Sequence, residues 1–158
     1  IGMTADALKS TNFEPSRLEL EITESVLLND EGWVGAMLDR LTKMGVRIVM
    51  DDFGTGYSSL SYLRSLPFTK IKIDRSFIAD LSEGTQSLAI VQATIQLSEK
   101  LGMKTTAEGV ETAEQFEILA AEGCTQVQGF HISRPIPAAD VAALLDQLNP
   151  PQRSLLVA

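Results

Sequence analysis

Short apolar runs rich in β-branched residues alternate along the chain with longer stretches in which apolar positions recur at helical spacing. The short runs predict five strands, near Leu18–Ile22, Val46–Met50, Lys70–Ile73, Lys104–Ala107 and Thr125–Gln128. The longer stretches predict five helices, at Trp33–Met44, Ser59–Ser65, Thr85–Leu101, Thr112–Glu122 and Ala138–Leu148. An alternation of strands and helices indicates a parallel sheet, either doubly wound or closed as a barrel.

The first predicted strand has two different faces, because side chains alternate along a strand. Leu18, Leu20 and Ile22 share one face. Glu19 and Glu21 share the other face. If the apolar face packs under the helices, the glutamates point to the opposite side, which in a barrel is the interior. A carboxylate there needs a partner, because an unpaired buried charge is very costly.

The other predicted strands show the same alternation, and each strand delivers a polar residue at or just past its C-terminal end. These residues are Glu21, Asp51, Lys72, Glu108 and Gln128. In (β/α) barrels that end carries the active site. Three acids, a lysine and an amide that converge there favour a hard divalent cation, because oxygen ligands suit Mg²⁺ or Mn²⁺. Glu19 and Lys70 are expected to be ordinary solvated or salt-bridged residues outside the site.

Asp52 adds a fourth acid next to Asp51, and two geometries are open. If the strand continues, the adjacent side chains point in opposite directions, so that one coordinates inward and the other reaches around the rim. If a loop begins there, both aspartates bind, which gives a two-metal arrangement. The loop that follows contains Gly54 and Gly56, which allow a positive φ or a close approach of the backbone to a ligand.

Composition narrows the function classes. The 158 residues, 44% of them hydrophobic, are typical of one globular domain, and no apolar run reaches the roughly 20 residues of a membrane helix. A net charge of −8 argues against binding to a DNA or RNA polymer or to an anionic membrane. Bound divalent cations would still admit an anionic ligand. The single cysteine, Cys124, cannot form an internal disulfide, which predicts a reducing, cytoplasmic location.

Five sequence blocks carry a resemblance to a known family. They are ELEITES (19–25), DDFGTGYSSLSYL (51–63), IKIDRSFI (71–78), AEGVET (107–112) and QGFHISRP (128–135). In order and spacing they resemble the EAL family of cyclic di-GMP phosphodiesterases. The resemblance implies a (β/α) TIM-type barrel, here incomplete, with about five parallel strands and covering helices. It implies that residues 1–149 form the C-terminal portion of an EAL domain and that residues 150–158 form a C-terminal tail.

The resemblance also implies a role for each matching residue. Lys72 is expected to contact the attacking water and the phosphate, and Glu108 is expected to help activate that water. The implied metal ligands, for two Mg²⁺ or Mn²⁺ ions, are Glu21, Asp51, Asp52 and Glu108. Gln128 and Glu111 are expected to bind substrate. Glu24 is expected to anchor the glycine-containing loop that follows Asp52.

Two family features are absent from these residues, the Glu-Ala-Leu motif, which the family places on an earlier strand, and an asparagine ligand, which precedes ELEITES in the family pattern. The chain begins at Ile1 as if it joined a helix partway, which predicts an excised or truncated piece with little activity of its own. The complete domain is expected to hydrolyse cyclic di-GMP to linear pGpG. The alternatives are a non-catalytic cyclic di-GMP receptor, a truncated interaction module, or an unrelated barrel in which Lys72 forms a Schiff base or acts as a general base.

The expected partner is cyclic di-GMP, in bacterial second-messenger signalling. The sequence leaves open a homodimer, and it leaves open sensory or diguanylate cyclase domains elsewhere in the parent protein.

Overall fold

The computed structural model describes residues 1–28, 33–54, 60–82 and 85–149. The strands are β1 (Glu19–Thr23), β2 (Arg47–Phe53), β3 (Phe68–Ile73), β4 (Lys104–Glu108) and β5 (Gln126–Gln128). The helices are α1 (Gly2–Thr11), α2 (Glu24–Leu28), α3 (Trp33–Lys43), α4 (Leu60–Ser65), α5 (Arg75–Ala79), α6 (Thr85–Lys100), α7 (Ala113–Ala121) and α8 (Val141–Leu148). Two 3₁₀ turns, Pro15–Arg17 and Ala138–Asp140, complete the described elements.

The five strands form one parallel sheet in the order β1-β2-β3-β4-β5. Each strand therefore pairs with its sequence neighbours, as expected for right-handed βα units wound in one direction. Within the described residues β1 and β5 do not pair with each other, so the sheet is curved but open. The predicted incomplete barrel with five parallel strands is confirmed.

The apolar phase of the strands packs against the helices. Ile48 and Met50 of β2 and Ile71 of β3 are buried in one core cluster together with residues of α3. Leu20 of β1 packs against the same cluster, so the face predicted to lie under the helices does so. A second cluster joins β3 and β4 to α5, α6 and α7 around Ile73 and Leu119, among others. The opposite, concave face of the sheet carries mostly polar side chains, with Val49 of β2 buried among them.

The sequence pattern located all five strands and most of the helices. Four of the five predicted helices are present within one residue of the predicted bounds, although Ser59 lies outside the described residues, and the fifth, predicted from Ala138, begins at Val141 after a 3₁₀ turn. The five predictions did not include α1, which was expected only as a helix joined partway at Ile1. They also did not include α2 and α5, because five residues are too few to show a helical period. The pattern also ended the second strand too early, since β2 continues through Asp51 and Asp52 to Phe53. The predicted tail, residues 150–158, lies outside the described residues.

Local hydrogen bonds explain where α7 begins. The Gln115 amide N–H donates to Thr112 Oγ1 over 3.2 Å, and the Thr112 amide N–H donates to Gln115 Oε1 over 3.1 Å, which is a capping box. Gln115 Nε2 also donates to the carbonyl of Ile78 over 2.9 Å, so the cap ties α7 to α5. None of the helices in the described part of the chain is long and apolar enough to cross a membrane.

A close backbone contact closes the site end of β5. Val110 N–H donates to the carbonyl of Gln128 over 3.1 Å, and His131 N–H donates to the carbonyl of Val110 over 2.9 Å. A Cβ added to Gly129 would lie 2.1 Å from the Val110 oxygen, a distance that no side chain tolerates. The loops that follow β4 and β5 are thus held together directly beside the last strand residues, Glu108 and Gln128.

Candidate active site

Lys72 lies at the centre of a group of carboxylates at the carboxyl ends of the strands. Its Nζ is 2.8 Å from Glu21 Oε2 on β1, 3.0 Å from Asp51 Oδ1 on β2 and 2.7 Å from Glu108 Oε1 on β4. An ammonium group has three N–H donors, so the contacts match one carboxylate to each donor. We call these four residues the Lys72 cluster. The sequence predicted this convergence from strand phase alone.

Asp52 joins this group through a distortion of β2. The register between β2 and β3 shifts between Met50 and Phe53, and Asp52 has a φ of 52°, in the left-handed region that aspartate tolerates better than most residues. The turn brings ligand atoms of Asp51, Asp52 and Glu108 to within 4.8 Å of one another. The structure combines the two geometries that the sequence left open: the strand continues to Phe53, as in the first, and both aspartates face the same site, as in the second.

Burial and charge act on Lys72 in opposite directions. Only 8% of its side chain is exposed. Burial alone would lower the pKa of the Lys72 ammonium, but the hydrogen bonds to Glu108, Glu21 and Asp51 outweigh burial and raise its pKa above the usual value of 10.5. Lys72 is therefore a fixed positive charge at neutral pH and not a nucleophilic amine.

The charges and donor atoms of the site fit divalent cations. Glu21, Asp51, Asp52 and Glu108 are four carboxylates against one ammonium group, which leaves three negative charges in a partly buried space. Each carboxylate has two oxygens, so a contact to Lys72 does not use up its capacity to bind a cation. Oxygen donors with a net negative charge are the ligands that Mg²⁺ and Mn²⁺ prefer. Three of the four predicted metal ligands, Asp51, Asp52 and Glu108, have ligand atoms within 4.8 Å of one another. The fourth, Glu21, contacts Lys72 beside them.

Gln128 lines the same concave face as the Lys72 cluster. A groove of about 840 Å³ is bordered by Glu21, Lys72 and Gln128, among other residues. Gln128 pairs in register with Glu108, so the two side chains lie side by side on neighbouring strands. One layer deeper, Thr106 Oγ1 donates to Gln126 Oε1 over 3.1 Å. The groove is polar and large enough for a nucleotide-sized ligand.

Two predicted residues lie away from this group. Glu111 is exposed and borders a separate groove of about 400 Å³ next to Arg75 and Gln115. Glu24, at the start of α2, is buried, and within the described residues neither of its carboxylate oxygens has a hydrogen-bond partner. Residues 55–59 of the loop that Glu24 is expected to anchor lie outside the described residues.

The concave face carries a second ion pair, outside the predicted site. Lys70 Nζ lies 2.6 Å from Glu19 Oε2, and the Lys70 side chain is only 10% exposed. This pair was expected to be solvated or salt-bridged, and it is salt-bridged. Glu19 and Lys70 share the strand phase of Glu21 and Lys72, so the signal for a second polar layer was present in the alternation itself.

The fold is an open (β/α) barrel, and a cluster of carboxylates around Lys72 lies at the carboxyl ends of its strands. Residues 2–135 match the family model of the EAL domain, and the chain belongs to the EAL domain family. The chain is 47% identical over 143 residues to the bifunctional diguanylate cyclase/cyclic di-GMP phosphodiesterase MucR of Pseudomonas aeruginosa. That match covers 90% of this chain and 21% of MucR.

Solved structures agree with the fold. The structure described as the PaMucR phosphodiesterase in complex with c-di-GMP matches with a TM-score of 0.82 and 47% identity, over 87% of this chain and 56% of that one. A Klebsiella pneumoniae BlrP1 structure, described as a manganese/cy-diGMP complex, matches with a TM-score of 0.79 and 34% identity, over 85% of this chain and 34% of that one. The chain spans 16% to 21% of the length of three curated relatives that it matches.

Proposed function

We propose that the full-length protein containing this chain hydrolyses cyclic di-GMP to linear pGpG with two Mg²⁺ or Mn²⁺ ions. The observation that carries the proposal is the Lys72 cluster, in which three strands each present a carboxylate to one ammonium group, with Asp52 beside them. The family membership supports it, as do the phosphodiesterase activity named for MucR and the ligands named for the PaMucR and BlrP1 structures.

The proposed metal ligands are Asp51, Asp52 and Glu108, together with Glu21. Bound divalent cations would supply positive charge to the phosphate and lower the pKa of a water molecule. Two contacts fix the Asp51 carboxylate. Its Oδ1 accepts a hydrogen bond from the Asp52 amide over 3.1 Å and also lies 3.0 Å from Lys72 Nζ. A ligand fixed in this way loses little freedom when it binds a cation.

Lys72 is proposed to act as a charged hydrogen-bond donor. Each of its three N–H donors contacts one carboxylate. When one of these carboxylates binds a cation instead, the donor that it leaves is free to hydrogen-bond a phosphate oxygen or the attacking water. Before this exchange the ammonium is charged, because the contacts to the carboxylates raise its pKa. The same raised pKa argues against the Schiff-base and general-base barrels, since both need an unprotonated lysine.

The proposed reaction is a hydrolysis at one phosphodiester. The water oxygen forms a bond to phosphorus, the bond from phosphorus to the 3′ oxygen breaks, and the 3′ oxygen takes up a proton. Glu108, whose carboxylate lies 2.7 Å from Lys72 Nζ, is proposed to accept the proton from the attacking water. Gln128 is proposed to hydrogen-bond the dinucleotide from the groove wall, and Glu111 is proposed to contact it from the neighbouring loop.

The test is turnover by the full-length protein with Mg²⁺ or Mn²⁺, with linear product separated from cyclic di-GMP by chromatography. The wild type is expected to form pGpG, and the Asp51→Ala variant is expected to form none, because it loses both a metal ligand and a partner of Lys72. Asp39→Asn is the matched control, since Asp39 is an exposed acid on α3. A circular dichroism spectrum of each variant checks that the fold is intact.

Two other outcomes would contradict the proposal. Binding of cyclic di-GMP by the wild type without any product would place the protein among non-catalytic receptors. If the wild type neither binds cyclic di-GMP nor turns it over, the result would favour an interaction module.

A further inference from the structure

A second ion pair lies one layer below the Lys72 cluster on the concave face. Lys70 Nζ and Glu19 Oε2 are 2.6 Å apart. Glu19 precedes Glu21 by two residues on β1, and Lys70 precedes Lys72 by two residues on β3. The contacts Glu19–Lys70 and Glu21–Lys72 are therefore parallel bridges that join β1 to β3 across β2.

The lower bridge restrains a strand that has few other restraints. In the described sheet β1 is hydrogen-bonded to β2 alone. Residues two apart on a strand share a face and are about 6.6 Å apart, so a shift of the backbone at Glu19 moves Glu21 as well. A contact from β3 to Glu19 thus restrains the position of Glu21 from the side on which the site lies.

Glu19 has two cationic neighbours, Lys70 and Arg47, which differ in burial. Lys70 is buried, and Glu19 is its carboxylate partner among the described residues. Arg47 also approaches Glu19, but the distance is 3.8 Å and 47% of its side chain is exposed. Exposed pairs contribute little, whereas a buried charge that loses its partner perturbs its surroundings strongly. Lys70, and not Arg47, is therefore the cation on which the geometry of Glu19 depends.

We infer that Glu19 and Lys70 are positioning residues that hold Glu21 and Lys72 in the geometry needed for metal binding. They do not touch the metal or the substrate themselves. The inference rests on the proposed function, in which Glu21 is a metal ligand and Lys72 acts at the phosphate. The Glu19–Lys70 pair is then a charged layer beneath the proposed metal ligands that orients them.

The test uses the full-length protein and Mn²⁺ as the probe. Calorimetric titration without substrate gives the Mn²⁺ dissociation constant, and thermal unfolding in EDTA gives the stability. Lys70→Met is expected to weaken Mn²⁺ binding roughly tenfold, as loss of an outer-shell partner typically does. Arg47→Met, the matched control, is expected to leave it unchanged. The charge-swapped double variant Glu19→Lys/Lys70→Glu is expected to restore most of the lost affinity.

Each outcome decides the inference. Lowered stability with unchanged Mn²⁺ affinity would overturn it, because the bridge would then be only structural. Failure of the charge swap to restore affinity would also overturn it. If Lys70→Met does not fold, Glu19→Gln repeats the measurement from the other partner at nearly constant volume. A wild type that neither binds Mn²⁺ nor turns over would overturn the proposed function as well, whereas a fully active Lys70→Met variant would overturn only this inference.

Discussion

Lys72 Nζ and Glu108 Oε1, which come from neighbouring strands, lie 2.7 Å apart, the shortest of the three contacts that hold the Lys72 ammonium. The contact joins the two residues expected to act on the attacking water. Lys72 therefore places a positive charge directly beside the Glu108 carboxylate.

Replacing Lys72 with methionine should lower the melting temperature of the full-length protein in EDTA, because Glu21, Asp51 and Glu108 then face one another without a cation. Since the folded-state pKa of Lys72 is raised, its contribution to stability is fully present below the usual value of 10.5 and is lost as the pH rises through the folded value. The difference in melting temperature between wild type and Lys72→Met should therefore be constant from neutral pH to about pH 10. A difference that closes between about pH 7 and 9 would mean that the pKa is lowered instead.

Glu24→Gln should lower both the melting temperature and the turnover rate of the full-length protein. The carboxylate of Glu24 is buried, and a buried carboxylate is retained only where something binds it. If the loop after Asp52 supplies that partner, loss of the charge displaces the loop and reduces turnover roughly tenfold. Glu117→Gln, at an exposed position on α7, is the control. A raised melting temperature with unchanged turnover would show that Glu24 anchors nothing.

Gly129→Ala should destabilise the full-length protein by more than about 4 kcal/mol, measured by urea unfolding. The new methyl group would lie 2.1 Å from the carbonyl oxygen of Val110 and 2.3 Å from its nitrogen, and these backbone atoms cannot rotate away as a flexible side chain could. Gly123→Ala is the matched control, because Gly123 has a φ of 85° but no atom within 4 Å of an added Cβ. The control should cost only about 1–2 kcal/mol, the penalty for a left-handed alanine. Equal effects of the two substitutions would contradict the steric argument.

The 158-residue chain by itself should be a poorly stable monomer or should associate into dimers, and it should have little phosphodiesterase activity. Within the described sheet β1 and β5 each pair on one side only, and such edges favour association with another strand. Light scattering after size-exclusion chromatography measures the mass, and calorimetry measures the cooperativity of unfolding. A sharp, cooperative melt from a monodisperse monomer would refute the prediction.

The sequence alone was sufficient for the order of the five strands and for the polar residues at the strand ends. Both depend on local rules: an alternation with period two assigns each side chain to a face, and strand ends in a parallel sheet meet at one side. Glu21, Asp51, Lys72 and Glu108 were therefore predicted to converge without any knowledge of distances. The five sequence blocks added the expected role of each residue.

Only the tertiary structure decided how those residues meet. Whether Asp52 faces the site depends on a left-handed backbone and on the register shift between β2 and β3, which arise from packing between strands. Which carboxylates reach Lys72, and that Lys70 is held by Glu19, depend on contacts between residues distant in the chain. The sequence of this protein determines the face to which each strand residue points, because that preference is local. Pairing, burial and the raised pKa of Lys72 are settled only when the strands are packed together, because they depend on atoms that the local pattern does not bring into contact.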